Sequence, residues 1–122
     1  MAHHDPDARA GAVFDALADS TRRALLRDVV ARGPRTATEL AAGLPISRQA
    51  VAKHLAVLRE AGLVEHERAG REARFSATLA PLAEAEGWLR ATGASWDDRL
   101  ARLERHAHSR AGRRGPETQG GP

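Results

Sequence analysis

Cysteine is missing from the 122-residue chain, so disulfides, thiolate metal sites and cysteine nucleophiles are excluded outright. Long apolar runs are missing too, and no stretch approaches the roughly 20 apolar residues that would span a bilayer. The opening MAHHDPDARAG holds no apolar segment of the kind a secretory signal needs, and a soluble cytoplasmic protein is the expectation. Aromatic residues are few, with two Phe, two Trp and no Tyr. Lysine occurs once, as Lys53, against eighteen arginines.

What fills the chain instead is alanine, leucine and valine, and the first two lead the helix-propensity ranking. The length suits one domain with one modest core. The net charge of +3 rests almost wholly on arginine, whose planar fork matches phosphate. A polyanionic partner is therefore permitted, though charge alone does not identify one.

The apolar spacing predicts a first helix over 7–17, with Ala10, Val13, Phe14 and Leu17 on one face. Asp19 and Ser20 can cap a second helix whose buried stripe is Leu25, Leu26, Val29 and Val30. Gly33-Pro34 ends it. Thr38 is expected to cap a short third helix with Leu40 and Ala41 inward, closed by Gly43. Ser47 then caps a fourth helix reaching about Ala61, with Val51, Leu55 and Leu58 inward and Gly62 as terminator. The stretch LVEHERAGREARFSA, residues 63–77, reads as two short strands around Ala69-Gly70. A long helical pattern returns over 80–106. The polar, Gly- and Pro-bearing SRAGRRGPETQGGP reads as a disordered basic tail.

Two helices, a tight turn and a hairpin suggest a winged helix-turn-helix, in which the second helix enters the DNA major groove. At about 100° per residue, Gln49, Lys53, Ala56 and Glu60 project away from Val51, Leu55 and Leu58. Ala50 and Ala52 flank that outward face and would let the backbone approach the groove floor. Gln pairs bidentately with adenine, and Lys donates to guanine O6 and N7. Ser47 and Arg48, at the helix start, suit phosphates. Arg68, Arg71 and Arg74 suit the flanking backbone or minor groove. Thr38 is placed with these DNA-contacting residues. An exposed Gln and Lys also occur on any solvated helix face, and His54, at the edge of the buried stripe, suits either a phosphate or a satisfied packing role.

ALADSTRRALLRDVV, then TATELAAGLPISRQAVAKHLAVLREAGLV, then the hairpin, resemble the ArsR/SmtB family of bacterial regulators over roughly residues 10–106. SRQAVAKHLAVLREAGLV is the most specific part. The resemblance implies a homodimeric repressor on a palindromic operator near its own promoter. It sets Ser47, Gln49, Ala52, Lys53 and His54 at the DNA-reading positions. Ala52 and Lys53 stand where family members often carry Ser and His, departures that bear on the operator sequence and not on the mode of binding.

Many members of that family sense metals. Their thiolate site needs cysteines, which this chain lacks. The other common site uses Asp and His of the last helix, where this chain offers Asp97, Asp98, Glu104, His106 and His108. His106 and His108 are two apart and do not share a helical face. His3 and His4 are adjacent near the N-terminus, and no set here matches tetrahedral zinc. No metal or cofactor is expected, and the chain resembles the metal-free branch of the family, with a long Trp-containing last helix. The sequence names no small-molecule effector.

That last helix would span about 40 Å over residues 80–106. Leu82, Leu89, Trp96 and Leu103 recur every seven residues, with Leu100 near the same face, a sustained seam suited to a second copy. Val13, Phe14 and Leu17 of the first helix are expected to join it. Two-fold pairing would set two reading helices about 34–36 Å apart, one duplex turn.

The expected fold is thus mainly α with a small β-hairpin. Residues 1–6 form a flexible start, 7–78 a winged helix-turn-helix, 79–108 a C-terminal dimerisation helix and 109–122 the tail. The expected function is a homodimeric repressor that binds double-stranded DNA, with no membrane partner. A winged-helix module that docks protein and a metal-responsive repressor of the same family are the alternatives. An enzyme has little support: Ser47 and His54 lie nearly two turns apart, no acid is poised to orient the histidine, and no Gly-rich phosphate loop occurs.

Overall fold

A computed structural model describes residues 5–114 and the side chains of residues 5–107. His3, His4, the His108 side chain and residues 115–122 of the expected tail lie outside these. The chain divides into two compact units, one ending at Trp88 and one beginning at Leu89.

The first unit opens with α1, Pro6–Leu17, whose N-cap Asp5 accepts from the Asp7 N–H at 3.0 Å. Pro6 takes the first helical position, where its missing N–H costs nothing. Ala10, Val13 and Ala16 form the buried face. Phe14, expected inward, is exposed, and Leu17 is half-buried. Small Ala16 takes the close-packed position instead.

Helix α2, Ser20–Arg32, starts at N-cap Asp19, which accepts from the Arg22 N–H at 3.0 Å. Leu25, Leu26 and Val29 are buried, while Val30, expected with them, is exposed. Gly33, at φ 81°, ends the helix by donating to Val29 O at 2.9 Å.

A short strand β1, Arg35–Thr36, follows and was not expected from the sequence. Next comes α3, Ala37–Ala42, whose cap is Thr36 and not Thr38. The Thr36 hydroxyl accepts from the Glu39 N–H at 3.1 Å, and the Glu39 carboxylate accepts from the Thr36 N–H at 2.9 Å. Both members of this capping box satisfy a donor that the helix start leaves orphaned.

The Thr36 N–H, chiefly, holds the Glu39 carboxyl below its usual range, with Arg35 and Arg74 adding in the same direction. A carboxyl lowered in the folded state stabilises the fold above its unfolded value and loses that effect as pH falls towards the folded one. Wild type is therefore expected to exceed Glu39→Gln in stability at neutral pH and to converge on it as pH falls below the usual carboxylate range. Urea melts across that range check this.

Helix α4, Arg48–Glu60, is capped by Ser47, whose hydroxyl accepts from the Ala50 N–H at 3.1 Å. At its end Gly62 N donates to Arg59 O and Leu63 N to Leu58 O, both at 2.9 Å, which is the Schellman pattern. Gly62 has φ 79°, and a Cβ there would lie 3.3 Å from Pro81 Cγ. Strands β2, Val64–Ala69, and β3, Glu72–Ala77, form the expected hairpin. Their register, with Ala69 opposite Glu72, leaves a two-residue turn at Gly70-Arg71. Only Gly70 takes positive φ there, at 67°, which fits the II′ turn favoured in hairpins.

Because β1 pairs with β3, the hairpin becomes a three-stranded antiparallel sheet in the order β1-β3-β2. Leu25, Leu40, Leu55, Leu58 and Leu63 are the largest buried side chains of the core, with Phe75 and Ala77 of β3 packed against it.

Helix α5, Ala80–Arg114, closes the chain. Its first turns belong to the first unit, where Ala85 is buried and Leu82 and Trp88 pack on the core. They meet α1 through Arg9–Glu84 at 2.9 Å, a Trp88 indole bond to Asp7, and an edge contact of Phe14 on Trp88 at 5.7 Å. The second unit carries the rest. The helix continues past the boundary expected at 108 into the start of the supposed tail. Residues 109–114 contain no proline, and alanine and arginine there favour helix.

Candidate nucleic-acid interface

The outward face of α4 follows from its buried one. Val51, Leu55 and Leu58 are fully buried. Gln49, Ala52, Lys53, Ala56 and Glu60 are exposed on the other side. With small residues at 52 and 56, Gln49 and Lys53 stand as the two long polar arms.

Beside that face is an open hollow of about 280 Å³, lined by Thr36, Ala37, Thr38, Arg48, Arg68, Arg71, Glu72 and Ala73. Three elements build it. The start of α3 brings Thr38, the start of α4 brings Arg48, and the hairpin turn brings Arg68 and Arg71. Three guanidinium groups on one hollow give it a positive potential that Glu72 only partly offsets. Arg68 also donates to Arg71 O across the turn at 3.5 Å. Thr38 does not take its expected capping role and lines this hollow.

Arg74 is not among the lining residues. It sits mid-strand opposite Thr36 and Glu67, and its charge reaches Glu39. Sequence reasoning missed Glu72 and Ala73. The two-residue turn that brings them to the hollow is legible only once the strand register is known.

His54 is half-buried on α4. Its Nδ1 lies 3.5 Å from Arg22 Nη1 and 3.9 Å from Asp19 Oδ2, so the ring turns towards the start of α2. An acid does stand near this histidine, contrary to expectation, but 3.9 Å exceeds a hydrogen bond. The Asp19 carboxyl is held below its usual range mainly by the Arg22 N–H, with His54 contributing less. The Ser47 hydroxyl accepts the capping hydrogen bond from the Ala50 N–H.

Among the residues expected at a dimer seam, Val13 is only 2% exposed and lies in the core of its own unit. Leu82 and Leu17 pack on that same core. Leu17 and Leu82 are only partly buried there. Phe14 is exposed on α1. In the second unit Leu89, Trp96, Leu100 and Leu103 are 52%, 56%, 50% and 62% exposed. They fall within about 60° of one another at 100° per residue. Arg99 lies over the Trp96 ring at 5.5 Å.

Among the described residues, no group of three or more His, Cys, Asp or Glu side chains is placed to hold a metal ion. No helix among them is long and apolar enough to cross a membrane.

Known proteins carry the same pattern. A helix-turn-helix domain family matches residues 17–67. An uncharacterised HTH-type transcriptional regulator, YuzN of Bacillus subtilis, is 41% identical over 85 residues, covering 64% of this chain and 92% of that protein. The transcriptional repressor SdpR of Bacillus subtilis is 31% identical over 77 residues, covering 63% and 84%. The structure of an ArsR-like transcriptional regulator from Rhodococcus sp. RHA1 superposes with a TM-score of 0.74 at 44% identity, covering 82% of this chain and 93% of that one. By this likeness in sequence and fold, the chain belongs to the ArsR/SmtB family of winged helix-turn-helix, DNA-binding transcriptional regulators.

Proposed function

We propose that the protein is a homodimeric repressor that reads a palindromic operator with α4 in the major groove and the β2–β3 hairpin on the flanking backbone. The observation that carries this reading is the positive hollow of Arg48, Arg68, Arg71 and Thr38 beside the exposed Gln49 and Lys53. Arginine forks in such a hollow suit phosphate oxygens, which position a protein on the duplex without reading sequence. Gln49 and Lys53 supply the base-edge contacts, each good one contributing about 1–3 kcal/mol of discrimination.

Repression is supported by the relative named as a repressor. Dimerisation is supported by the apolar stripe of α5, which a solvated helix does not need. The partner in this reading is double-stranded DNA, with no cofactor.

Selection of bound duplexes from a random pool by the purified protein tests the whole proposal. A two-fold symmetric consensus is the expected result. A tight protein partner combined with binding insensitive to salt would favour the protein-docking module instead, since phosphate contacts release counterions and weaken steeply as salt rises.

Two substitutions separate reading from positioning. Gln49→Ala is expected to relax preference at one base position, at a cost of about 1–3 kcal/mol on the selected duplex. Arg71→Ala is expected to weaken selected and random duplexes about equally and to lower the salt slope by about one. Fluorescence anisotropy at several salt concentrations distinguishes them, and identical shifts on both duplexes would refute direct readout by Gln49.

A further inference from the structure

The turn between α1 and α2 holds a group of contacts that the DNA-facing hollow does not use. Arg22 is the third residue of α2, and its own N–H is capped by Asp19. Its side chain reaches back to the end of α1. There Nε donates to Ala16 O at 2.6 Å and Nη2 donates to Asp15 O at 3.1 Å. Carbonyls in the last turn of a helix lack i+4 partners within it; Arg22 satisfies Ala16 O and adds a second donor to Asp15 O, which also accepts from the Ala18 N–H at 3.3 Å. Arg23 beside it donates to Leu17 O at 2.6 Å. The remaining Arg22 nitrogen, Nη1, faces His54 Nδ1 at 3.5 Å, the outer limit of a hydrogen bond.

A guanidinium only donates, so a hydrogen bond between the two uses His54 Nδ1 as the acceptor, with the Asp19 carboxylate 3.9 Å from the same nitrogen. His54 is the residue immediately before buried Leu55 and immediately after Lys53 on the reading helix. One planar side chain therefore joins the end of α1 to the middle of α4. We infer that Arg22 is a positioning residue for DNA reading, fixing the setting of α4 by bridging the α1 carbonyls and the His54 ring. This rests on α4 being the reading helix. Lysine cannot substitute, because a single ammonium lacks the rigid fork that spans three acceptors. Arg23 makes the same kind of carbonyl bond without reaching His54, which makes it the matched control.

The test compares Arg22→Lys, Arg23→Lys and wild type. The first readout is the ¹⁵N resonance of His54 Nδ1 in the free protein. It is expected to move in Arg22→Lys and to stay in Arg23→Lys. The second is affinity for the duplex that wild type selects from a random pool. Arg22→Lys is expected to bind about tenfold more weakly, within the range of coupling inside one hydrogen-bonded network, with an unchanged salt slope. Arg23→Lys is expected to bind as wild type does.

An unmoved nitrogen resonance overturns the inference whatever the DNA result. So does unchanged affinity, or a slope lower by about one, which would make Arg22 itself a phosphate contact. Should Arg22→Lys fail to fold, His54→Asn and His54→Leu replace it. Asn keeps an acceptor near the place of Nδ1 and should retain affinity, whereas Leu should lose it. Equal affinity of those two overturns the inference. Failure of wild type to capture any duplex would instead overturn the DNA reading, and the nitrogen resonance keeps the two failures apart.

Discussion

Leu100→Asp is expected to yield a folded monomer that binds a palindromic duplex at least ~100-fold more weakly than wild type, the scale on which linked half-sites reinforce each other. Leu100 is half-exposed and lies between Trp96 and Leu103 on the α5 stripe. It has no part in the core of the first unit. The change costs the helix itself only about 0.5 kcal/mol in propensity. In the proposed dimer, however, it buries a carboxylate against the apolar side chains of a second copy, without a partner for the charge. Light scattering after size exclusion reads the mass, and anisotropy reads the affinity. A variant that stays dimeric with wild-type affinity would place the dimer seam elsewhere.

The second large effect lies in the core. Leu55→Ala is expected to destabilise the fold by about 2–5 kcal/mol, the usual cost of a leucine truncated in a packed interior. Leu55 is 0% exposed, and so are Leu40, Val51, Leu58 and Leu63 in the same core. A domain of this size has a total stability of about 5–15 kcal/mol, so the change removes a large fraction of it. Val57→Ala, two positions along on the exposed side of α4, is expected to cost under about 0.5 kcal/mol. Urea denaturation followed by circular dichroism gives both values. Comparable losses at the two positions would mean that α4 is rotated from the setting described here.

The sequence made α4 legible because every local signal agreed. Ser47 offered the cap, Val51, Leu55 and Leu58 the inward stripe, and Gly62 the left-handed stop. The outward face followed by geometry alone. Elsewhere two signals competed. TATE contains two threonines that could cap α3, and the deciding feature is Glu39, three residues after Thr36, which completes a capping box that Thr38 cannot make. Strand β1 escaped notice because two residues carry no periodicity.

Longer-range errors have longer-range causes. Val13 and Phe14 are neighbours in sequence, and spacing could not say which would pack inward once Ala16 took the tight position. Arg68, Arg71 and Arg74 read alike as a basic hairpin, yet only Arg68, near the end of β2, and Arg71, in the turn, line the hollow, a distinction fixed by strand register. The partner of His54 stands 32 positions away, and nothing in the local pattern announces it.

Lys53 has a practical consequence. It is the sole lysine of the chain and lies exposed on the face of α4 between Ala52 and Ala56. Apart from a terminal amine, an acylating dye finds one aliphatic nitrogen to attack, so a fluorophore can be seated at mid-helix without engineering. Protection of that nitrogen by added oligonucleotide, followed by mass spectrometry, would report occupancy of this surface directly.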